Sequence, residues 1–172
     1  GLMPNYVDVA TVTNIAYDHI GQNGINSLVD LANAKGVVYN ALKQDGIAII
    51  NLDDEHIKQL VVKHKKAYIS TKLSEQEISK YLTDDNYVVF IRDNVIILKT
   101  NSVEYPLNKI NEIPITVYGL ATYNFENVLH AVALCFALKI TPEQIIFGLK
   151  KFGADDKSNF GRWNYYKSIN HG

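Results

Sequence analysis

The sequence predicts an α/β fold of three layers, in which a mainly parallel sheet is flanked by helices and carries a small antiparallel excursion. Two observations predict it. Short apolar, β-branched stretches alternate with amphipathic stretches through residues 6–70, and such alternation is typical of parallel strands joined by right-handed crossovers. Between residues 86 and 110 the pattern changes to short alternating strands, which is typical of an antiparallel sheet edge.

The first five predicted elements follow the order β-α-β-α-β. Residues 6–15 are apolar and β-branched, as expected for a central parallel strand covered on both faces. An amphipathic helix is expected at 26–46, because Ser27 and Asp30 resemble a capping box and Gly46 stands at the end. Its apolar residues at helical spacing are Leu28, Leu31, Val38 and Leu42. The elements that follow are a strand at 47–52, a helix at 53–64 and a strand at 67–70.

The second half of the sequence predicts the antiparallel sheet edge and two further helices. Asp93-Asn94 is typical of a tight turn between two antiparallel strands. Residues 115–140 predict a strand, a loop and a helix that is apolar almost all round and therefore buried on most sides. Thr141 to Gln144 open another helix with a capping box and proline at its first position. The tail at 160–172 has the pattern of a further strand, and no repeat or linker divides residues 1–172 into two domains.

Composition excludes several function classes. The 172 residues are 47% hydrophobic and 20% charged, which supplies enough apolar content for one core. Seventeen Lys and Arg against eighteen Asp and Glu give a net charge of -1, so neither nucleic acid nor a membrane surface is expected as a partner. A single cysteine, Cys135, and the lack of a signal or membrane-spanning run indicate the cytoplasm. Because residue 1 is Gly, we expect an excised piece of a longer protein.

Two features near the first strand have both a structural and a functional interpretation. Lys35 falls on the apolar stripe of the predicted helix, where a lysine either snorkels to the edge or serves a site. Asp18-His19 follows the exit of the first strand, and ligands of open α/β sheets collect beyond the carboxyl ends of strands. A neutral imidazole there can bind a metal while a carboxylate orients it, and the alternative is a surface-loop histidine.

Three further groups are candidate site residues. Asn124, expected at the helix N-cap, and Asn127 one turn later either satisfy helix amides or hold an adenine edge. Arg162 is either an exposed arginine or a fork for phosphate. The acidic run from Asn51 to Glu55 follows a strand and is expected to cap the next helix.

Together these features resemble the central, nucleotide-binding domain of the Mur ligase superfamily. The motifs that carry the resemblance are "VDVATVTNIAYDHIGQNGI", "LVDLANAKGVV", "GIAIINLDDE", "YNFENVLHAVALCFAL" and "FGRWNYY". Within the superfamily they are most similar to the C-terminal ligase half of the cyanophycin synthetases. The match is dense over residues 1–55 and 123–164, and looser between 68 and 113.

The resemblance implies an ATP-dependent, magnesium-dependent amide ligase that activates a carboxylate as an acyl phosphate. His19 resembles the family's magnesium-binding histidine. Lys35 resembles the lysine that many members carry as a carbamate, which would face the metal as an anion, and both residues are therefore expected to be catalytic. Asn124 and Asn127 match the asparagines that contact adenine, and Arg162 matches the arginine near the ribose and phosphates. Asp18, Asn51, Asp53 and Asp54 fall in matching motifs without an assigned role.

One departure from the family pattern is that nothing in this sequence matches G-x-x-x-x-G-K-[ST]. In the family that phosphate loop lies upstream of the matched region, and the C-terminal domain lies downstream. We therefore expect an isolated chain that is inactive and a parent that adds an amino acid, by resemblance arginine, to aspartate side chains of a polymer. The acceptor and the oligomeric state stay open, with a homo-oligomeric parent as one option.

The alternatives are a non-catalytic binding module derived from the fold and a ligase of the folylpolyglutamate or peptidoglycan type. A weaker alternative is a structural domain that binds a metal through His19 and carboxylates, without a nucleotide.

Overall fold

A computed structural model describes residues 3–17, 20–22 and 24–155. Its centre is a six-stranded sheet in which the strands lie side by side in chain order. The strands are β1 (Val7–Thr11), β2 (Leu42–Asn51), β3 (Lys65–Ser70), β4 (Tyr87–Arg92), β5 (Val95–Thr100) and β6 (Glu104–Lys109). The helices are α1 (Leu28–Gly36), α2 (Glu55–Lys58), α3 (Glu75–Ile78), α4 (Tyr123–Ala137) and α5 (Pro142–Lys151). Strands β1 to β4 are parallel, and β5 and β6 are antiparallel to their neighbours.

Helices cover both faces of the sheet. Because side chains alternate along a strand, odd and even residues of β2 enter two different cores. Ile49 packs in the core beneath α4 and α5, whereas Ala48 and Ile50 pack in the core beneath α1 and α2. A third cluster joins α3 to Val88 and Phe90 of β4. The predicted three-layer α/β class, with a mainly parallel sheet and an antiparallel excursion, is confirmed.

The antiparallel hairpin and the last helix form as the sequence predicts. Asp93 and Asn94 have φ angles of 50° and 64°, the left-handed values that a two-residue hairpin turn requires. At α5, the Thr141 hydroxyl accepts a hydrogen bond from the backbone N–H of Gln144, whose side chain accepts one from the Thr141 N–H. Local turn and cap chemistry therefore determines these two boundaries.

The predicted helix at 26–46 is shorter in the structure. Regular α-helix ends at Gly36, a 3₁₀ turn follows at Val37–Ala41, and Leu42 begins β2. The cause is Tyr39, which is buried and whose hydroxyl accepts from the N–H of Val12, just beyond β1, and donates to the Ile49 carbonyl of β2. Val38 and Leu42 pack in the predicted core, but from a 3₁₀ turn and a strand rather than from a helix.

Three other element predictions differ from what the described residues show. The strand predicted at the start of 115–140 is a 3₁₀ turn, Pro114–Thr116, followed by left-handed φ angles at Val117 and Tyr118. The Thr116 side chain stabilises this turn by accepting from the Gly119 N–H and contacting two carbonyl oxygens. The helix predicted at 53–64 is one turn, α2. The expected central strand β1 is at the edge of the sheet within the described residues.

No helix in the described part of the chain is long and apolar enough to cross a membrane. The strand predicted at 160–172 lies outside the described residues.

Candidate nucleotide-binding site

The segment that leaves β1, residues 12–15, is held by polar contacts from several elements. The Val12 N–H donates to the Tyr39 hydroxyl at 3.2 Å, and the Thr13 carbonyl accepts from the Asn51 amide at 2.9 Å. Next, the Asn14 carbonyl accepts from Lys35 Nζ at 3.2 Å, and the Ile15 N–H donates to Asp54 Oδ2 at 2.6 Å. These four backbone groups are thus tied to side chains from neighbouring elements, which fixes residues 12–15 where they leave β1.

The acidic run after β2 supplies much of this support. Asn51 is 1% exposed, and its Oδ1 accepts from the Asp53 N–H at 3.0 Å. Asp53 itself accepts from the Ser70 hydroxyl and from the Thr71 N–H and hydroxyl at the exit of β3. Asp54 is the N-cap of α2 and accepts from the N–H groups of His56 and Ile57, as the sequence predicts. The run therefore ties together the carboxyl ends of β1, β2 and β3.

Helix α4 reaches the same place through two side chains that sequence reasoning did not single out. His130 is buried, with Nδ1 3.0 Å from Thr11 Oγ1 and Nε2 3.4 Å from the Thr13 carbonyl oxygen. Burial lowers the pKa of His130 to about 4, so its ring is neutral near pH 7. One turn earlier, Glu126 Oε2 lies 3.4 Å from the amide nitrogen of Asn51.

The other face of the start of α4 borders a pocket of about 100 Å³. Asn124 is inside the helix rather than at its N-cap, which is Thr122, and its amide donates to the Ile115 carbonyl at 2.7 Å. Asn127 donates to Asn124 Oδ1 at 3.2 Å. The remaining lining is apolar. The lining residues are Ile115, Asn124, Asn127, Val128, Ala131, Leu149 and Phe152.

The structure brings the predicted site residues to two neighbouring places. Lys35 and Asn51 meet at the exit of β1, and Asn124 and Asn127 meet at the pocket. The first turn of α4 links the two places, because Glu126, between the asparagines, approaches Asn51. Predictions for Asp18, His19 and Arg162 lie outside the described residues. Among the residues that are described, no three His, Cys, Asp or Glu side chains gather as a metal site would require.

Comparison with known proteins identifies the family. The profile of the Mur ligase middle domain matches residues 4–135, which is most of the chain. The chain belongs to the Mur ligase middle-domain family. This confirms the resemblance drawn from the sequence motifs.

Relatives of this Mur ligase domain include two kinds of ligase. A cyanophycin synthetase from a Nostoc species is 27% identical over 173 residues, covering 99% of this chain and 19% of the relative. A UDP-N-acetylmuramoyl-tripeptide–D-alanyl-D-alanine ligase from Buchnera aphidicola is 30% identical over 143 residues, covering 83% of this chain and 29% of the relative. The chain thus spans about a fifth of the length of the cyanophycin synthetases that it matches.

A solved structure supports the same fold. The crystal structure of MurF from Acinetobacter baumannii aligns with a TM-score of 0.59 at 22% identity, over 95% of this chain and 32% of MurF. At that identity the likeness concerns the fold, a sheet covered by helices on both faces.

Proposed function

We propose that this chain is part of an ATP-dependent ligase that forms an amide bond through an acyl phosphate. The observation that carries the proposal is the pocket lined by Asn124 and Asn127 at the start of α4, in a chain of the Mur ligase middle-domain family. An apolar slot with a few fixed amides suits a planar base with polar edges. By family resemblance, the amides of Asn124 and Asn127 contact the adenine edge, because an amide side chain carries both a donor and an acceptor.

The two asparagines at the pocket are held in place before a ligand arrives. Asn124 is anchored by its own bond to the Ile115 carbonyl, and Asn127 is anchored in turn by Asn124. Preorganised side chains lose little conformational entropy when a ligand binds. Val128, Ala131 and Leu149 offer flat apolar contact to the rings. By family resemblance, Arg162 completes this half of the site beside the ribose and phosphates.

The chemistry of such a ligase depends on positioning and on fixed positive charge. A carboxylate of the acceptor attacks the terminal phosphorus of ATP, ADP leaves, and an incoming amine then displaces phosphate from the acyl phosphate. Because anions must approach one another in the first step, cationic groups that stabilise the transferred phosphoryl group supply most of the acceleration. Magnesium, when bound, neutralises charge on the phosphate oxygens.

The candidate metal residues of this chain are His19 and Lys35. As an ammonium, Lys35 cannot bind a cation, and its Nζ donates to the Asn14 carbonyl. Reaction of the neutral amine with carbon dioxide forms an N–C bond and releases a proton, which leaves an anionic carbamate. The carbamate nitrogen retains one hydrogen, so it could keep the bond to Asn14, and the new carboxylate would supply oxygens able to hold a metal ion.

The polypeptide that carries this chain is proposed to be longer, with a phosphate loop upstream and a C-terminal domain downstream. One observation supports this division. Val7, Val9 and Ala10 make β1 apolar on both faces, as in a central strand, yet β1 is half-buried and at the edge of the described sheet. We expect the isolated chain to be inactive and the full-length protein to act in the cytoplasm.

The proposed substrates follow the cyanophycin synthetases, with arginine added to aspartate side chains of a polymer. The test is to incubate the full-length protein with ATP, magnesium and an aspartate polymer, offering arginine, lysine or glutamate in turn. We expect release of ADP and phosphate that requires both the acceptor and arginine. Use of glutamate with a folate or peptide acceptor would instead identify a sibling ligase, and nucleotide binding without turnover would identify a binding module.

The asparagines provide the matched variants. Replacing Asn127 by Ala removes an amide from the pocket and is expected to raise the KM for ATP about tenfold, since a lost hydrogen bond costs roughly 1–2 kcal/mol. Asn33, exposed on α1 across the sheet, is the control position, and Asn33→Ala should leave the KM unchanged. Equal effects of the two substitutions would contradict the proposed adenine pocket.

A further inference from the structure

We propose that His130 is a positioning residue of the ligase site, which fixes the exit of β1 relative to the helix that carries the adenine-binding asparagines. The inference rests on the proposed function. It assigns a role to a side chain that is not among the residues lining the pocket and that hydrogen-bonds Thr11 and Thr13.

The contacts of His130 bridge two points on one short segment. Its Nδ1 lies 3.0 Å from the side-chain oxygen of Thr11, the last residue of β1, and its Nε2 lies 3.4 Å from the carbonyl oxygen of Thr13. The ring therefore spans Val12 and ties both sides of the strand exit to α4. Burial alone requires that each ring nitrogen has a hydrogen-bond partner. It does not require that the two partners lie two residues apart in the same segment of the chain.

The tautomer is determined by the partners. A carbonyl oxygen only accepts, so Nε2 carries the hydrogen and donates it to Thr13. Nδ1 then accepts, and the Thr11 hydroxyl donates to it. The Ile49 carbonyl, which Thr11 could otherwise satisfy at 3.2 Å, already accepts from the Tyr39 hydroxyl at 2.9 Å. In this neutral tautomer both ring nitrogens of His130 have a hydrogen-bond partner, in agreement with the burial of the ring.

The bridge matters because the next residues of the chain lead into the proposed site. The Thr13 carbonyl is shared with Asn51, the Asn14 carbonyl accepts from Lys35, and the segment then continues to Asp18-His19. His130 is on the same helix as Asn124 and Asn127, one to two turns further on. His130 thus links the pocket proposed for adenine to the place proposed for metal and phosphates. Neither place by itself fixes the position of one relative to the other.

The other charged groups at this junction do not replace the bridge. Glu126 approaches Asn51 from α4, Asp53 is bonded to Ser70 and Thr71, and Asp54 is bonded to Ile15 and to α2. Lys35 contacts Asn14 from α1. Among the described residues of α4, His130 is therefore the side chain that hydrogen-bonds the β1 segment itself.

The test compares three variants of the full-length ligase. His130→Leu keeps an apolar side chain of similar size but loses both hydrogen bonds, whereas His130→Gln keeps one donor and one acceptor. Val132→Ala shortens a fully buried side chain of the same helix away from the strand exit, so it reports a general loss of packing. For each variant, kcat, the KM for ATP and the magnesium dependence of the rate are measured.

We expect His130→Leu to lower kcat about tenfold or more, the usual effect of removing a residue that orients a reactive group. The KM for ATP should stay within about twofold, because the adenine pocket is on the other face of α4. His130→Gln should recover most of kcat, and Val132→Ala should leave kcat nearly unchanged below its unfolding temperature. An unchanged kcat in His130→Leu, or an equal loss in Val132→Ala, would overturn the proposal.

A spectroscopic measurement separates this inference from the proposed function. In ¹⁵N-labelled protein, the ring nitrogens of His130 should show a neutral imidazole protonated at Nε2 at pH 7. A ring protonated at Nδ1 or at both nitrogens would overturn the bridge whether or not the protein is a ligase. Conversely, the expected tautomer in a protein without ATP-dependent ligation would contradict the proposed function but leave the bridge in place.

Discussion

At the scale of single residues, a buried imidazole makes stability depend on pH. The pKa of His130 falls from 6.5 to about 4 because burial disfavours the charged ring. Above pH 6.5 the ring is neutral in the folded and unfolded states. As the pH falls from 6.5 toward 4, the unfolded chain binds a proton that the folded protein excludes, so the free energy of unfolding decreases, by up to about 3 kcal/mol.

Urea denaturation at several pH values between about 7 and 4.5 measures this loss. The wild-type protein should lose stability steeply below pH 6.5, and His130→Gln should lose distinctly less because it has no ring to titrate. The same pH dependence in both proteins would show that other groups cause the effect.

Lys35 also has a test at this scale. Lys35→Arg keeps a cation that can donate to the Asn14 carbonyl but cannot form the carbamate, whereas Lys35→Ala loses both. If carbamylation is required, ligation by the full-length protein should fall by a similar large factor in both variants. Retention of activity in Lys35→Arg would show that the hydrogen bond alone matters.

Lys35 could be selected from the sequence as a candidate site residue because it is a cation on an apolar stripe. The two asparagines could be selected because of their spacing. There was no comparable reason to select His130, since "VLHAVAL" is typical of a buried helix and the partners of the ring, Thr11 and Thr13 at the exit of β1, lie more than 100 residues away. The one local signal was a histidine one turn after Glu126, which places two polar side chains on one face of an otherwise apolar helix. Hydrogen-bond partners this far apart in the sequence cannot be identified from a local residue pattern.

At the scale of secondary-structure elements, α5 and its C-cap form one wall of the pocket through Leu149 and Phe152, and the start of α5 depends on a capping box. Replacing Thr141 by Ala removes the oxygen that accepts from the Gln144 N–H and should lower the free energy of unfolding by about 1 kcal/mol. Thr141→Ser keeps the oxygen and should stay close to wild type. Urea unfolding curves measure both, and equal stability of the Ala and Ser variants would show that the cap contributes little.

The boundaries of helices and strands could be predicted from the sequence where local turn and cap chemistry sets them. They could not be predicted where tertiary contacts set them. The Asp93-Asn94 turn and the Thr141 cap are local, and both form as predicted. The helix expected to continue to 46 instead ends at Gly36, because the Tyr39 hydroxyl bonds Val12 and Ile49. Those partners lie just after β1 and in β2, so apolar spacing alone identified core residues but not their conformation.

At the scale of the whole molecule, alternation of strands and helices was sufficient to predict the three layers, because parallel crossovers place helices on both faces of a sheet. The edge position of β1 was not predictable, since a strand with two apolar faces is expected in the centre. The first two turns of α4 face the pocket on one side and, through Glu126 and His130, the exits of β1 and β2 on the other. This junction is the proposed place of the nucleotide.

The measurement that tests this placement most directly is photo-crosslinking of the full-length protein with 8-azido-ATP, followed by mapping of the labelled peptides. The azido group sits on the adenine ring, so we expect labelling within 115–131 or 149–152, the two stretches that line the pocket. Excess ATP should abolish this labelling, and Asn127→Ala should weaken it. Labelling that ATP suppresses but that maps only to other parts of the chain would contradict the proposed adenine site.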